Sequence, residues 1–180
     1  FFPDGSRWKT LFIINESENL SARSRYKINE SLDTRDLFLS NFEKNQERIV
    51  RSSYIFDFSG SQSIEAGVER AQTILDTSLQ LGLLTGGEAD DRFGGLTPIT
   101  DSMGTVEEMR YEYFAIHNWS MNSRMTLETT LLFEDSTISQ TGSKANSRDF
   151  NFFRPKVDYR FDITPSFQFR ATVEKDVAQL

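Results

Sequence analysis

The chain has 180 residues, and its 20 Lys and Arg stand against 27 Asp and Glu, which gives a net charge of −7 at neutral pH. Proteins that bind nucleic acid carry a basic surface, so we expect no nucleic-acid partner. The absence of Cys and the presence of only one His exclude disulfide scaffolds and Cys-ligated zinc. They also argue against a histidine relay, so we expect neither an enzyme nor a bound cofactor.

The hydrophobic content is low and the aromatic content is high. Hydrophobic residues make up 37% of the chain, whereas aromatic residues reach 13% and include 16 Phe. No segment approaches the roughly 18 consecutive apolar residues of a membrane-spanning helix. Helical periodicity is nearly absent, and a two-residue alternation over segments of about ten residues predicts β-strands instead.

The first half of the chain predicts short strands with uncertain ends. Two or three are expected before residue 47, around 7–15, 22–28 and 36–42, and others over 50–58 and 64–68, joined by a turn at 59–62. Between Ala71 and Ile74 the apolar positions change from even to odd numbers. A bulge, or departure of the strand from a two-sided environment, explains such a change. A further strand is expected over 111–119, without assignment of its faces.

The last three strands alternate most clearly. One face of the strands at 125–134, 151–163 and 167–174 is apolar and aromatic, and the other is almost entirely charged, as in an antiparallel meander. We predict that the apolar set faces lipid: Leu127, Leu131, Phe133, Phe153, Val157, Tyr159, Phe161, Phe167, Phe169 and Val173. Pairing Asp158 with Arg170 and Arg154 with Glu174 would oppose unlike charges, so we expect that register between the last two strands.

The connections alternate in length. Those at 59–62, 118–123 and 163–166 are short, and those at 83–106 and 137–148 are long and polar. Short turns on one rim and long loops on the other are typical of an outer-membrane barrel. A soluble lipocalin-like barrel or carbohydrate-binding sandwich is the alternative, since it buries the apolar face inside. A passive porin is a third possibility.

The second half of the chain resembles the barrel of TonB-dependent outer-membrane receptors. The match is good over about 109–180 and loose before that. The residues that carry it are 111–119, 127–128, Glu134, Ser136, Ile138, Gln140, 148–150, 154–160, 162–165, Gln168, Arg170, 173–175 and 179–180. The resemblance implies a barrel of about 22 strands in the bacterial outer membrane. We expect residues 1–180 to form an all-β antiparallel meander of about eight of these strands, as a partial barrel domain excised from a longer protein.

The same resemblance implies ligands and partners. The ligand would be a siderophore, cobalamin or a saccharide, imported with energy from TonB through an N-terminal region that this sequence lacks, as it lacks the plug and the closing strand. The barrel would contact outer-membrane lipid.

Candidate site residues fall into two groups. The charged face is expected to line the barrel lumen through Glu128, Glu134, Arg154, Lys156, Asp158, Arg160, Arg170 and Glu174. A solvated face of a soluble sheet is the alternative, and a catalytic carboxylate pair is disfavoured because charge alternates over the whole face. In the longest connection, 82–106, ligand contacts are expected from Asp90, Asp91, Arg92 and Phe93. Arg92 would pair with an anionic ligand and Phe93 would supply an apolar face; the alternative is a loop that shields the rim without touching ligand.

Two further residues are expected to be structural. His117 has no second histidine with which to form a metal site or a relay, so a structural or interfacial position is expected. Its neighbour Trp119 is expected at the short-turn rim, in an aromatic belt.

Overall fold

The chain forms one antiparallel sheet whose seven strands follow the order of the sequence. The computed structural model describes residues 2, 5–28, 32–142 and 145–177. The strands are β1 (Arg7–Lys27), β2 (Thr34–Ser59), β3 (Gln62–Leu83), β4 (Thr97–Asn122), β5 (Met125–Gly142), β6 (Asn146–Thr164) and β7 (Phe167–Glu174). Within these ranges the only helical turn is a short 3₁₀ segment, Asp91–Phe93, and no helix is long and apolar enough to cross a membrane. The prediction of an all-β antiparallel meander is confirmed.

The sheet has seven strands rather than about eight because predicted segments fuse. The segments 7–15 and 22–28 are parts of β1, and 36–42 and 50–58 are parts of β2. The polar residues between them do not break the strands, because they pair across the β1–β2 ladder. Lys44 Nζ lies 2.6 Å from a carboxylate oxygen of Glu16 and 2.9 Å from one of Glu18.

Parts of both long polar connections are also strand. β4 begins at Thr97, β5 continues to Gly142, and β6 begins at Asn146. The predicted loops 83–106 and 137–148 were therefore wrong in extent; residues 143 and 144 of the second lie outside the described residues. The polar side chains there satisfy one another across strands, as when the Thr137 hydroxyl donates a 2.7 Å hydrogen bond to Asp149.

The apolar residues of β3 change face without a bulge. Pairing with β2 is continuous from Leu37 to Asp57, and pairing with β4 shifts only between Leu81 and Gly82. The bulge is thus excluded near residues 71–74. The second explanation remains, in which the half of β3 after residue 74 leaves the two-sided environment, apolar on one face and polar on the other, that the first half occupies.

The register between β6 and β7 differs from the expected one. Asp158 pairs with Thr172, Lys156 with Glu174, and Arg160 stands directly opposite Arg170. Repulsion between the two arginines is relieved because each binds along its own strand. Arg160 donates a 3.0 Å hydrogen bond to Asp162, and Arg170 donates one to Gln168. An irregularity between Asp162 and Thr164 absorbs the offset at the turn.

The two faces of the sheet differ sharply in burial. One face, which we call the charged face, holds Arg51, Glu69, Glu112, Glu134 and Arg154, and it contains most of the buried residues of β2 to β5: Ser53, Ile55, Ala71, Glu112, Phe114, Glu134 and Ser136. The other, the aromatic face, leaves its large side chains exposed. A single sheet can bury residues on one face only if side chains converge there, so we infer that the sheet curves around the charged face.

Candidate functional site

The aromatic face carries a continuous apolar band. Val68, Tyr113, Phe133 and Phe153 form one row across four strands, and the rings of Tyr113 and Phe133 lie 6.4 Å apart. All ten residues predicted to face lipid lie on this face. Along β2 the band runs from Val50 to Phe58, which at about 3.3 Å per residue and a strand tilt near 40° gives a height of about 20 Å between the two Cα atoms. An outer-membrane barrel needs an apolar band about 25 Å tall.

His117 belongs to the edge of this band. Its ring stacks on Phe58 with centroids 5.9 Å apart, and its Nε2 lies 3.0 Å from the side-chain oxygen of Gln62. Phe58 continues a ladder of rings through Phe56 and Tyr54. The contacts of His117 are therefore packing contacts beside the short turn at residues 60–61.

A network of six alternating charges crosses the charged face. Arg51 lies 3.4 Å from Glu69, which also contacts Arg110 at 3.5 Å. Arg110 in turn lies 3.5 Å from Glu112. One terminal nitrogen of Arg154 then joins Glu112 at 3.2 Å to Glu134 at 2.6 Å. Three arginines thus balance three glutamates across β2 to β6.

Two carboxylates of this network are buried. Glu134 is 4% exposed and Glu112 is 9% exposed. A buried carboxylate is tolerated only when it is paired with a cation and hydrogen-bonded. The glutamates of this network therefore need the arginines that contact them. Arg154 Nε is also buried, and no acceptor for it lies within the described residues.

Packing beside the network depends on one glycine. The guanidinium of Arg51 lies 4.1 Å above the ring of Phe114, and that ring covers Gly67 on the neighbouring strand. A Cβ on residue 67 would lie 2.6 Å from the Phe114 ring. Gly67 therefore lets Phe114 lie flat beside the charges.

Only Glu134 and Arg154 of the network are among the residues predicted to line a lumen. Arg51, Glu69, Arg110 and Glu112 were not among the candidates; Glu112 lies in the strand 111–119, whose faces could not be assigned because both contain apolar residues. The strand register identifies three of these four, since Arg51, Glu69, Glu112 and Glu134 form one row of partners.

The remaining predicted residues gather nearer the short turns, on the same face. Glu128, Asp158, Arg160 and Arg170 line a cleft of about 480 Å³ together with Asn118, Thr126 and Thr172. Lys156 lies 2.8 Å from Asp158 and opposite Glu174. The structure therefore places all eight predicted residues on the charged face, in two adjacent groups.

The four predicted loop residues lie in a folded turn rather than in an unstructured loop. The ring of Phe93 is 1% exposed, and its backbone and Cβ lie against Gly82. Phe93 thus anchors the loop and does not present its ring as expected. Arg92 donates both its backbone N–H and its guanidinium N–H groups to Asp90, which lowers the pKa of that carboxyl. Asp91 and Arg92 remain exposed.

The loop is also fixed from the side of β2. Arg35 donates a 2.7 Å hydrogen bond to the carbonyl oxygen of Gly94, a residue in the left-handed region with φ of 68°.

No group of three or more His, Asp or Glu suited to a metal ion occurs in the part of the chain that the structure describes.

Comparison with known proteins identifies a similar fold. No model of a protein family and no curated protein matches the chain. Among solved structures, the ferric citrate transporter FecA in its unliganded form matches with a TM-score of 0.56 and 17% identity, over 97% of this chain and 25% of the FecA chain. The chain therefore spans about a quarter of that β-barrel transporter, and at this identity the likeness shows the fold alone.

Proposed function

We propose that the chain forms part of the barrel wall of an outer-membrane TonB-dependent receptor, which imports a scarce ligand. The observation that carries the proposal is the division of one sheet into an exposed aromatic face and an enclosed, charge-balanced face. In this arrangement the aromatic band contacts lipid and the charged face lines the lumen. Its role is transport rather than catalysis.

The open edges of the sheet support this assignment. Among the described residues, β1 and β7 each pair with one neighbouring strand, so one side of each strand has unpaired backbone groups there. Within a bilayer every backbone N–H and C=O must be satisfied, which requires further strands that close the barrel. A soluble sandwich would need a second layer over the aromatic face, and the described residues form one sheet.

The lumenal side would be completed by a plug. The buried Nε of Arg154 and the polar cleft around Asp158 offer donors and acceptors to such a segment. The ligand in this proposal is a siderophore, cobalamin or a saccharide, and TonB engages a region beyond this sequence. Asp91 and Arg92 are the proposed contacts with the ligand. Deleting residues 88–95 should weaken ligand uptake without preventing insertion of the barrel.

Cysteine labelling tests the assignment of faces. The sequence contains no Cys, so a single introduced Cys is the only site of labelling. Val157→Cys and Asp158→Cys place that Cys at neighbouring positions of β6 that point to opposite faces of the sheet. In intact outer membranes we expect a lipid-soluble maleimide to label the first variant and a small polar maleimide to label the second. Equal labelling of both by the polar reagent, or absence of the protein from the outer membrane, would overturn the proposal.

A further inference from the structure

Two arginines lie at one edge of the apolar band, on the side away from the short turns. Arg48 on β2 and Arg70 on β3 are both exposed on the aromatic face. Val50 pairs with Arg70 and Arg48 pairs with Gln72, so the two arginines are diagonal neighbours. Long side chains in that relationship reach a common point.

Neither arginine forms an ion pair within the described residues, because nearby carboxylates bind other groups. The positive charge of Arg48 favours the ionised form of Glu16, but the Glu16 carboxylate itself binds Lys44 at 2.6 Å and Gln46 at 3.0 Å. Glu107 accepts a 2.6 Å hydrogen bond from Gln72. Asp135 lies two strands from Arg70, beyond Tyr111. Tyr111 itself is directly opposite Arg70 and exposes its side chain on the same face.

An apolar groove lies on the same face, with Val68 at its edge as the next side chain along β3 from Arg70. Two small residues, Ala66 and Ala115, are partners across β3 and β4 and leave a depression of about 520 Å³ in the band. Val68, Tyr113, Leu131 and Phe133 form its sides. Val68 lies between Ala66 and Arg70 on β3, so the groove and Arg70 are separated by one side chain on the same face.

We propose that this surface binds an acidic lipid through its phosphate, with one acyl chain in the groove. Two guanidinium groups match a phosphate in charge and geometry, and Tyr111 is placed to add a third donor. The apolar groove matches a hydrocarbon chain and not a soluble anion, so the two features together select a lipid. The inference rests on the proposed function, because it needs the aromatic face in a membrane. The lipid belongs to the leaflet at the rim opposite the short turns.

The test compares lipid binding by the intact barrel in mild detergent, followed by native mass spectrometry. The probes are dipalmitoyl phosphatidic acid, phosphatidylcholine with the same chains, and inorganic phosphate. The variant is Arg48→Gln with Arg70→Gln. The matched control is Arg23→Gln, which removes an exposed arginine on the opposite face. A second variant, Ala115→Phe, fills the groove and leaves both arginines in place.

We expect the wild-type barrel and the Arg23 variant to retain phosphatidic acid in preference to phosphatidylcholine. The double variant should bind phosphatidic acid about tenfold or more weakly, as expected for lost charge-assisted contacts. The Ala115 variant should also weaken binding. Equal retention by all variants overturns the site, and equal binding of inorganic phosphate overturns the lipid assignment. Membrane insertion and heat-modifiable migration of the variants are scored separately, so failure of the lipid site is distinguishable from failure of the barrel assignment.

Discussion

Arg154 donates a 2.6 Å hydrogen bond to Glu134, a carboxylate that is 4% exposed. The same nitrogen also donates to Glu112 at 3.2 Å, so one cation serves two enclosed carboxylates from different strands. Removing a cation from such a pair leaves charge without compensation, which costs more than the hydrogen bond itself contributes. The three residues therefore act as one unit that joins β4, β5 and β6.

Arg154→Met should destabilise the barrel by about 2–3 kcal/mol, because it leaves Glu112 and Glu134 unpaired while part of the arginine side chain is already solvated. Adding Glu134→Gln should recover part of that loss. Arg124→Met, at an exposed turn position, is the control and should have little effect. Denaturant unfolding of the detergent-solubilised protein measures all three. Equal losses for Arg154→Met and Arg124→Met would contradict the network's role.

Gly67→Ala should destabilise the sheet by about 1–3 kcal/mol through overpacking. The new Cβ would lie 2.5 Å from the Ser52 carbonyl oxygen and 2.6 Å from the Phe114 ring. Because the Ser52 oxygen belongs to the backbone of the neighbouring strand, it cannot move aside as a side chain could. Gly104→Ala is the matched control, because its nearest contacts would be 3.5 Å and 3.8 Å away. Thermal unfolding of both variants decides the point, and a stable Gly67→Ala protein would show that Phe114 moves aside freely.

The sequence predicted the faces of the last three strands well, because alternation there is strict from Leu127 to Val173. It predicted strand ends poorly in the first half, where Glu16, Glu18 and Lys44 look like loop residues. These charges continue a strand because the partner strand supplies their counter-charges. Pairing of that kind is a tertiary property that no single segment displays.

The register between β6 and β7 could not be predicted from opposed charges alone. Opposed unlike charges favoured one pairing, yet Arg160 faces Arg170 in the structure. Charges interact along a strand as well as across the ladder. Partners two residues away on the same strand, Asp162 and Gln168, satisfy both arginines and remove the penalty.

On the proposed assignment of faces, Val157→Arg should destabilise the membrane-inserted barrel by about 2–4 kcal/mol, because the apolar band that holds Val157 would contact lipid, which cannot solvate a charge. Thr172→Arg is the control, since it places the same charge on the opposite face beside Asp158. Folding into vesicles, followed by heat-modifiable electrophoretic mobility, measures both variants. A Val157→Arg protein as stable as Thr172→Arg would place the aromatic face away from lipid.

The 180-residue chain expressed alone should be insoluble or aggregated in plain buffer. Its aromatic face exposes Phe12, Ile14, Phe133 and Phe169, and β1 and β7 offer free edges to other chains. Detergent should restore dispersion by covering the aromatic face. Size-exclusion chromatography and a thermal melt with and without detergent test this. A monodisperse preparation that melts cooperatively in buffer alone would exclude the exposed band as a lipid-facing surface.

The turn that contains Asp90 should loosen only in strong acid. Hydrogen bonds from the side chain and backbone N–H of Arg92 lower the pKa of the Asp90 carboxyl below its ordinary value. A lowered pKa means that the folded turn favours the ionised form. Its contribution is present above the ordinary value and is lost as pH falls through the lowered one. The amide resonance of Arg92 should therefore titrate below the range of a free aspartate. Asp90→Asn should abolish the titration, Arg92→Gln should move it upward, and Asp91→Asn should leave it in place. A titration at the ordinary value in the unaltered protein would mean that the Asp90–Arg92 pair does not persist in solution.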